Sequence, residues 1–273
     1  MIATEHPVDE FAGRSRTAHL GLAELDLLTT HAGVRMPYPV RVPCYGRTAA
    51  ERAAVLAMAG ATLTARGLAD DTGPLGVAAE LVAALRARRS TVDLVVTGVD
   101  GGPVGVLALR HGSAALVCRQ TLTRGHANPV AVTRLAWDEL ADAVYRDVPR
   151  LPGALVVPIS LDAGAVAAAG QARGVTRDGL RATTVAAGGD PDELDRLADL
   201  LPAVTGRGQL GGTVAGRRTH ELSWLDGPSG RVRVDHGRDG WVSVNPLHPK
   251  DIHRFIHQLT GGGAEPGTGE ERQ

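Results

Sequence analysis

The sequence has few aromatic residues, almost no net charge and no long apolar run, and each shortage excludes a class of function. Eight aromatic residues among 273 offer little surface for stacking nucleic-acid bases. A formal net charge of -1, from 29 basic and 30 acidic residues, produces no field that attracts a polyanion or an anionic membrane surface. The longest apolar stretches are short, such as Leu155 to Ile159, whereas a membrane span needs about 20 predominantly apolar residues. We therefore predict neither nucleic-acid binding nor membrane insertion.

Cysteine is also scarce, and the beginning of the sequence lacks the features of a secretion signal. Cys44 and Cys118 are far apart and have no CxxC or CxxH context, so we expect neither a disulfide framework nor a thiolate metal site. The opening residues are acidic and contain proline, where a signal peptide has a basic start followed by an apolar segment. These observations favour a cytoplasmic protein.

Residues 17–260 carry the periodicity of a folded domain, whereas the two ends of the chain do not. Hydrophobic residues make up 43% of the sequence and charged residues 22%, which is an ordinary globular composition. Residues 1–16 are polar and aperiodic, and residues 261–273 are rich in glycine and glutamate. Such segments bury too little apolar surface to fold. We therefore predict one domain between two disordered ends.

The domain shows the same order of elements twice. A pattern of helix, helix, antiparallel meander and helix runs over roughly residues 48–148 and again over roughly 161–260. We interpret this order as two pseudo-symmetric halves, 17–152 and 153–260, of an α+β fold with a central antiparallel sheet and flanking helices. A chance coincidence of two common motifs stays open as an alternative. The segment 174–189, rich in glycine, arginine and threonine, has no clear structure in this pattern.

Local signals place the elements at the start of the second half. A short strand is predicted over residues 154–160 and a helix over 161–172. Asp190, followed by Pro191, has the side chain of a helix cap before the residue type that suits the first helical position. We therefore predict a helix over 191–201.

Three glycines in the second half spell a literal GxGxxG motif. Gly206, Gly208 and Gly211 match its spacing. The dinucleotide-binding fingerprint requires a strand before the glycines and a helix after them, so that a helix N-terminus meets the pyrophosphate. Here a helix precedes and a strand-like run follows. We therefore interpret the glycines as a turn that enters the second meander, and no nucleotide cofactor is predicted.

A histidine pair at helical spacing is the best candidate for a metal site. His253 and His257 share one face of the last predicted helix. A zinc protease motif would place a glutamate between them, but Arg254, Phe255 and Ile256 stand there. We expect a solvated helix flank and no bound metal.

No sequence motif indicates a catalytic residue. There is no GxSxG elbow, and neither cysteine lies beside a histidine in the sequence. Catalytic residues can still converge from distant positions without a local motif, so a hydrolase or transferase stays open as an alternative function. A homodimer joined through sheet edges is a third possibility. Elimination favours a binding protein.

The order of motifs resembles the EspG family of proteins associated with ESX (type VII) secretion in actinobacteria. In residues 220–259 the resemblance lies in a strand ending at Asp226, a turn, a strand of alternating valines, a second turn before Trp241, and a closing helix. Residues 21–40 resemble the opening helix and proline-containing segment of that family, and residues 66–109 its helix followed by a meander. Together these segments extend over about residues 17–260.

The resemblance implies a cytoplasmic chaperone that binds PE-PPE heterodimers, keeps them soluble and directs them to their own secretion system. It also implies a sheet with two pseudo-symmetric subdomains, and a hydrophobic PPE tip held by the sheet and the C-terminal helical bundle. The short last helix with its histidines departs from the mycobacterial members. Individual interface residues therefore cannot be transferred.

Alternation within the second meander suggests one exposed surface. In residues 231–235 two valines alternate with charged residues, so Arg231, Arg233 and Asp235 are expected to face outward. A structural role for Arg231 at the turn is an equally good interpretation of that residue. Exposed arginines beside a tryptophan are typical of binding hot spots.

Two other positions complete the predicted contact residues. Trp241 and Ser243 lie on the face opposite their valine neighbours, although Trp241 could instead pack under the last helix. Leu200 lies off the centre of the apolar stripe of the helix over 191–201 and offers a second patch. The predicted partner-binding residues are Arg233, Asp235, Trp241, Ser243 and Leu200.

Overall fold

A large antiparallel sheet forms the centre of the protein. The structure is a computed structural model that describes residues 17–87, 90–123, 128–171, 176–214, 216–237 and 240–261. The two predicted disordered ends lie outside the described residues, apart from Gly261. The strands are β1 (Thr17–Leu20), β2 (Ala69–Asp70), β3 (Gly73–Pro74), β4 (Ser90–Thr97), β5 (Val104–His111), β6 (Ala114–Thr121), β7 (Val130–Ala136), β8 (Ile159–Asp162), β9 (Gly206–Val214), β10 (Arg217–Gly227), β11 (Gly230–His236) and β12 (Trp241–Pro246).

Helices flank this sheet on both faces. They are α1 (Leu22–Ala32), α2 (Ala49–Ala65), α3 (Gly76–Ala87), α4 (Leu140–Tyr145), α5 (Ala163–Gln171), α6 (Arg177–Ala186), α7 (Pro191–Leu200) and α8 (Pro249–Gly261). Short 3-10 turns precede α4 and follow α7. Within the described residues, no helix is both long enough and apolar enough to cross a bilayer.

The strand order confirms the predicted α+β fold with two pseudo-symmetric halves. Each half contains a short strand, three helices on the sheet, a four-stranded meander and a final helix. The ten-stranded sheet has the order β1-β7-β6-β5-β4-β9-β10-β11-β12-β8, whereas β2 and β3 form a separate ribbon. The halves join where β4 pairs with β9 and Leu94 lies opposite Leu210. An approximate two-fold axis therefore passes between these two strands.

The helices divide between the faces because side chains alternate along each strand. On one face, α4 and α8 pack together over Leu94, Leu210 and Trp224. On the other face, the N-terminal bundle (α1 to α3) covers β5 to β7, and the C-terminal bundle (α5 to α7) covers Val232, Val244 and the edge strand β8. The two bundles therefore lie on the same face, at opposite ends of the sheet.

Ion pairs hold the N-terminal bundle together. Glu24 on α1 accepts hydrogen bonds from Arg66 at 2.8 Å, and Asp26 accepts from Arg52 at 2.9 Å. Both carboxylates are buried, and each also accepts a backbone N–H, so they are paired as buried charges must be. These residues fix α1 against α2.

The start of the second half differs from the sequence prediction. The strand predicted over residues 154–160 is wrong in its position, because the ladder with β12 begins only at Ile159. Ala154 donates its backbone N–H to the Arg231 carbonyl at 2.9 Å, but residues 155–158 belong to no strand, and Leu155 is 96% exposed and Val157 67% exposed. The helix predicted over 161–172 starts at Ala163, since Leu161 still belongs to β8.

A helix lies in the segment for which the sequence pattern gave no structure. Thr176 caps α6 by accepting a hydrogen bond from the backbone N–H of Gly179. On its outer face, Arg177 and Arg181 pair with carboxylates of α7, including Asp195. The predicted helix at 191–201 is confirmed as α7, and Asp190 caps it by accepting the N–H of Asp192 at 2.8 Å.

The shared sheet leads us to propose that residues 17–260 fold as one unit. Separating the halves would expose the edges of β4 and β9, which now pair along their whole length. We expect limited proteolysis to trim the ends and leave one fragment, measured by mass spectrometry. Two stable fragments cut near Gly153 would contradict this proposal.

Candidate partner-binding groove

Strands β4, β9 and β10 are left uncovered between the two helical bundles. The N-terminal bundle contacts β5 and β6, and the C-terminal bundle contacts β8 and β12. Three strands spaced about 4.8 Å apart make a floor roughly 10 to 15 Å wide, and one helix with its side chains is about 10 to 12 Å across. We call this channel the central groove. Its floor consists of Asp93, Val95, Thr97, Arg207, Gln209, Arg218, Glu221, Ser223 and Leu225.

A two-residue period places these side chains in the groove. On β4, Val92, Leu94 and Val96 point to the core beneath α4 and α8, so Asp93 and Val95 point to the bundle side. The same alternation applies to the paired strand β9. The groove floor therefore carries both polar and apolar side chains. A strand buried on both faces would instead have apolar residues along its whole length.

A chain of hydrogen bonds crosses the groove floor. The Tyr38 hydroxyl donates to Gln209 Oε1 at 3.2 Å, and Gln209 Nε2 donates to Glu221 Oε1 at 2.6 Å. Arg218 donates through Nε to Glu221 Oε2 at 3.0 Å and through Nη1 to Asp93 Oδ2 at 2.7 Å. The network links the N-terminal half to β9 and β10 and fixes the polar side chains of the floor.

Asp93 is the buried member of this network. Burial raises the pKa of its carboxyl, although the hydrogen bond and charge of Arg218 oppose that shift. Burial and the neighbouring Asp93 also raise the pKa of Tyr38. Asp93 Oδ1 has no hydrogen-bond partner among the described residues. At this polar end of the groove, Asp93, Tyr38 and Arg218 help to line a cavity of about 270 Å³.

The opposite end of the groove is apolar. There a cavity of about 350 Å³ lies between α7, the segment that precedes β8, and the β10–β11 hairpin. Leu225 belongs both to the groove floor and to this apolar cleft. Leu200 and Val157 line the cleft as well. The predicted contact residue Leu200 therefore lies on a concave part of the surface.

The other four predicted contact residues lie together on the opposite face. Asp235 pairs with Ser243 in the ladder, and Arg233 Nε donates to Asp235 Oδ1 at 2.6 Å. Trp241 lies on the same side and is 49% exposed, so it does not pack under α8. The structure thus brings these four residues together but separates them from Leu200. We call them the β11–β12 patch.

Arg231 lies on the same strand face as Arg233, as the alternation predicts, but it does not face solvent. Its side chain is 1% exposed, donates to both carboxylate oxygens of Asp226 at 2.6 and 2.9 Å, and also donates to the Pro149 carbonyl. The guanidinium lies over the Trp224 ring at 5.1 Å. The backbone near Pro149 covers this end of β11, so the structural interpretation of Arg231 is confirmed.

The GxGxxG glycines lie within strand β9 and not in a turn. A Cβ at Gly208 would come within 1.9 Å of the Trp224 ring, and one at Gly211 within 2.2 Å of the Arg218 guanidinium. At Gly206 it would come within 2.8 Å of the Thr97 carbonyl. The glycine spacing therefore reflects side chains that pack closely against both faces of β9, Trp224 on one face and Arg218 on the other.

The histidine pair belongs to the contact between α4 and α8. His253 Nε2 lies 3.0 Å from Asp142 Oδ1, and the rings of His253 and His257 are 4.5 Å apart. Within the part of the chain that the structure describes, no group of three or more His, Cys, Asp or Glu residues is arranged to hold a metal ion. The groove and its two ends are thus a concave surface that could receive a partner.

Comparisons with known proteins agree with this architecture. The sequence model of the EspG family matches residues 22–258. No curated protein matches the chain. A solved structure of the Mycobacterium tuberculosis type VII secretion system chaperone EspG5 in complex with the PE25-PPE41 dimer matches with a TM-score of 0.58 at 13% identity, over 89% of this chain and 95% of that chain. At this identity the similarity shows the fold alone.

Proposed function

This chain belongs to the EspG family, and from that membership we propose that it is a chaperone of type VII secretion. Its client is a helical heterodimer of the PE and PPE type, which it keeps soluble and directs to the secretion system. The observation that carries the proposal is the central groove, whose width suits one helix and whose end holds an apolar cleft. EspG5, of the same fold, was solved in complex with a PE25-PPE41 dimer.

The groove has the composition that a helical tip requires. An exposed apolar tip promotes aggregation, and a groove that covers it removes this apolar surface from water. Val157, Leu200 and Leu225 supply an apolar lining at one end, while the hydrogen-bonded floor supplies polar partners along the channel. Helix-in-groove binding generally uses such an amphipathic arrangement.

Catalysis and a membrane location have no part in this proposal. The groove binds its client through shape, apolar contact and hydrogen bonds, so the chaperone needs no catalytic group and no cofactor. We propose that the protein acts in the cytoplasm, where a client must be kept soluble before export.

The β11–β12 patch remains a proposed second contact surface. Its tryptophan and arginine are residue types enriched at binding hot spots. It lies on the face opposite the groove, so a client seated in the groove reaches it only by extending past the edge strand β8. We therefore expect the patch to contribute less to affinity than the groove.

Copurification from the native organism tests the proposed function. We expect a PE-PPE-type heterodimer in near equimolar amount, identified by mass spectrometry. Turnover of a small molecule or stoichiometric metal would instead support the enzyme alternative, and self-association alone would support the structural homodimer.

A substitution in the apolar cleft is expected to weaken client binding. Val157→Asp places a charge against the client's apolar surface, so we expect Kd to rise about tenfold or more. Leu155→Asp is the matched control, because Leu155 is exposed on the same segment but does not line the cleft. Calorimetric titration with the purified heterodimer measures both, and melting curves confirm folding.

Variants of the second surface complete this comparison. Arg233→Glu and Trp241→Ala are expected to raise Kd by less than Val157→Asp does, with little change in Tm. If Val157→Asp binds like the wild type and these two variants lose the client, the β11–β12 patch is the principal site and the groove assignment is wrong.

A further inference from the structure

Arg218 is held in one position at the polar end of the central groove. Its Nε donates to Glu221 Oε2 at 3.0 Å and its Nη1 donates to Asp93 Oδ2 at 2.7 Å. Beneath it lies Gly211, where a Cβ would come within 2.2 Å of Nη2, so the guanidinium rests directly on the strand backbone. Two carboxylates and a glycine thus fix a side chain that is normally mobile.

One nitrogen of this guanidinium has no hydrogen-bond partner among the described residues. Nη2 donates no hydrogen bond to any residue that the structure describes, and 36% of the side chain is exposed. The side chain lines the cavity of about 270 Å³ together with Tyr38 and Arg35. Within the described residues Nη2 is therefore an unpaired donor on a partly exposed side chain that lines this cavity.

The fixed position gives Arg218 an advantage in binding. An arginine loses rotamer freedom when a partner immobilises it, and side chains that are already fixed avoid much of that cost. Arginine is also enriched among the few interface residues that carry most of the affinity. The buried Asp93 and the paired Glu221 position this arginine by accepting its hydrogen bonds.

The local charge favours an acceptor on the partner. Arg35 and Arg218 line the cavity with Tyr38, and the charge of Arg41 also acts on the Tyr38 hydroxyl. The opposing charges at this end of the groove are those of Glu221 and the buried Asp93. Guanidinium N–H groups form their strongest hydrogen bonds with negatively charged or strongly polar oxygens.

We propose that Arg218 is a specificity-determining residue of the groove, and that its Nη2 edge binds an oxygen acceptor on the client helix. The acceptor is either an aspartate or glutamate side chain or the free carbonyl groups at a helix C-terminus. This inference rests on the proposed function, since it assigns the polar end of the same groove.

A double variant separates binding from stability. Arg218→Met alone would leave Asp93 charged, buried and unpaired, which destabilises the fold. Arg218→Met combined with Asp93→Asn removes both charges, so the protein should melt close to the wild type. We expect the double variant to bind the purified PE-PPE-type heterodimer about 30-fold more weakly. Arg217→Met is the matched control on the same strand and should bind like the wild type.

Salt dependence distinguishes the two acceptor types. With a client carboxylate, the difference in Kd between the wild type and the double variant should shrink as ionic strength rises. With carbonyl acceptors, that difference should stay nearly constant. Either result, with the affinity loss, supports the proposal.

Two outcomes would overturn the inference in different ways. If the double variant binds as tightly as the wild type while Val157→Asp loses affinity, the groove function stands and the role of Arg218 is wrong. If the wild type binds no such heterodimer, the proposed function fails and this inference fails with it.

Discussion

Replacing Gly208 by alanine is expected to abolish stable folding or to lower the free energy of unfolding by about 3 kcal/mol or more. The new Cβ would lie 1.9 Å from the Trp224 ring. That ring is 1% exposed and packs among Leu210, Leu222 and the residues of α8, so it has no space to move into. Urea unfolding followed by fluorescence or circular dichroism measures the loss.

A neighbouring glycine on the same strand and face provides the control. At Gly212 a Cβ would lie 3.0 Å from the end of the flexible Leu259 side chain and 3.1 Å from the Thr91 carbonyl oxygen, so the neighbours need to move by only a few tenths of an ångström. Gly212→Ala should therefore cost about 1 kcal/mol or less. Adding Trp224→Leu to Gly208→Ala should recover part of the lost stability. Equal losses for the two alanine variants would show that the ring does not set the requirement for glycine.

Replacing the buried Arg231 is expected to cause the second large loss of stability. Arg231→Met leaves Asp226 buried without its bidentate partner, so we expect the free energy of unfolding to fall by about 3 to 5 kcal/mol. Both side chains are almost fully buried, at 1% and 4% exposure, and the Pro149 carbonyl loses its donor as well. Chemical denaturation measures the change.

The next arginine on the same face of β11 is the control for this variant. Arg233 pairs with Asp235 at the surface, so Arg233→Met should cost less than about 1 kcal/mol. A double variant, Arg231→Met with Asp226→Leu, should recover most of the stability because an apolar pair can replace a buried ion pair. A full loss in the double variant would indicate that the two residues act independently.

Capping residues and alternation predicted much of the fold. Gly33 adopts the left-handed conformation with φ of 70° at the end of α1, and Asp190 caps α7 as its side chain suggested. These predictions succeeded because caps and two-residue periods depend on local geometry. The doubled order of elements could be predicted for the same reason, and it gave the pseudo-symmetric sheet.

The remaining elements depend on tertiary contacts. Strand β1 is four residues long and exists because Leu20 and its neighbours pair with β7, far away in sequence. Residues 154–158 have strand-like side chains, yet they lie outside the ladder. Arg231 follows the alternation, but a distant segment covers it. β-strand propensity and side-chain periodicity carry no information about contacts between segments that are distant in the sequence.

The groove itself could be only partly predicted. Asp93 between Val92 and Leu94 on β4 indicates a strand with one polar face, and that signal was present in the sequence. Gln209 and Glu221 become floor residues only because both bundles leave three strands uncovered, which depends on helix placement. The predicted surface therefore included Leu200 and missed the polar floor.

Site-specific crosslinking tests most directly whether the client occupies the central groove. Ser223 lies on the groove floor and Ser243 on the β11–β12 patch, and both are half-buried strand serines. Each would be changed to cysteine in a Cys44→Ser background and labelled with a photoreactive maleimide. Cys118 should not react, because burial raises the pKa of its thiol to about 12. The groove account predicts efficient crosslinks to the PE-PPE-type heterodimer through position 223 and few through 243, whereas crosslinks through position 243 alone would contradict it.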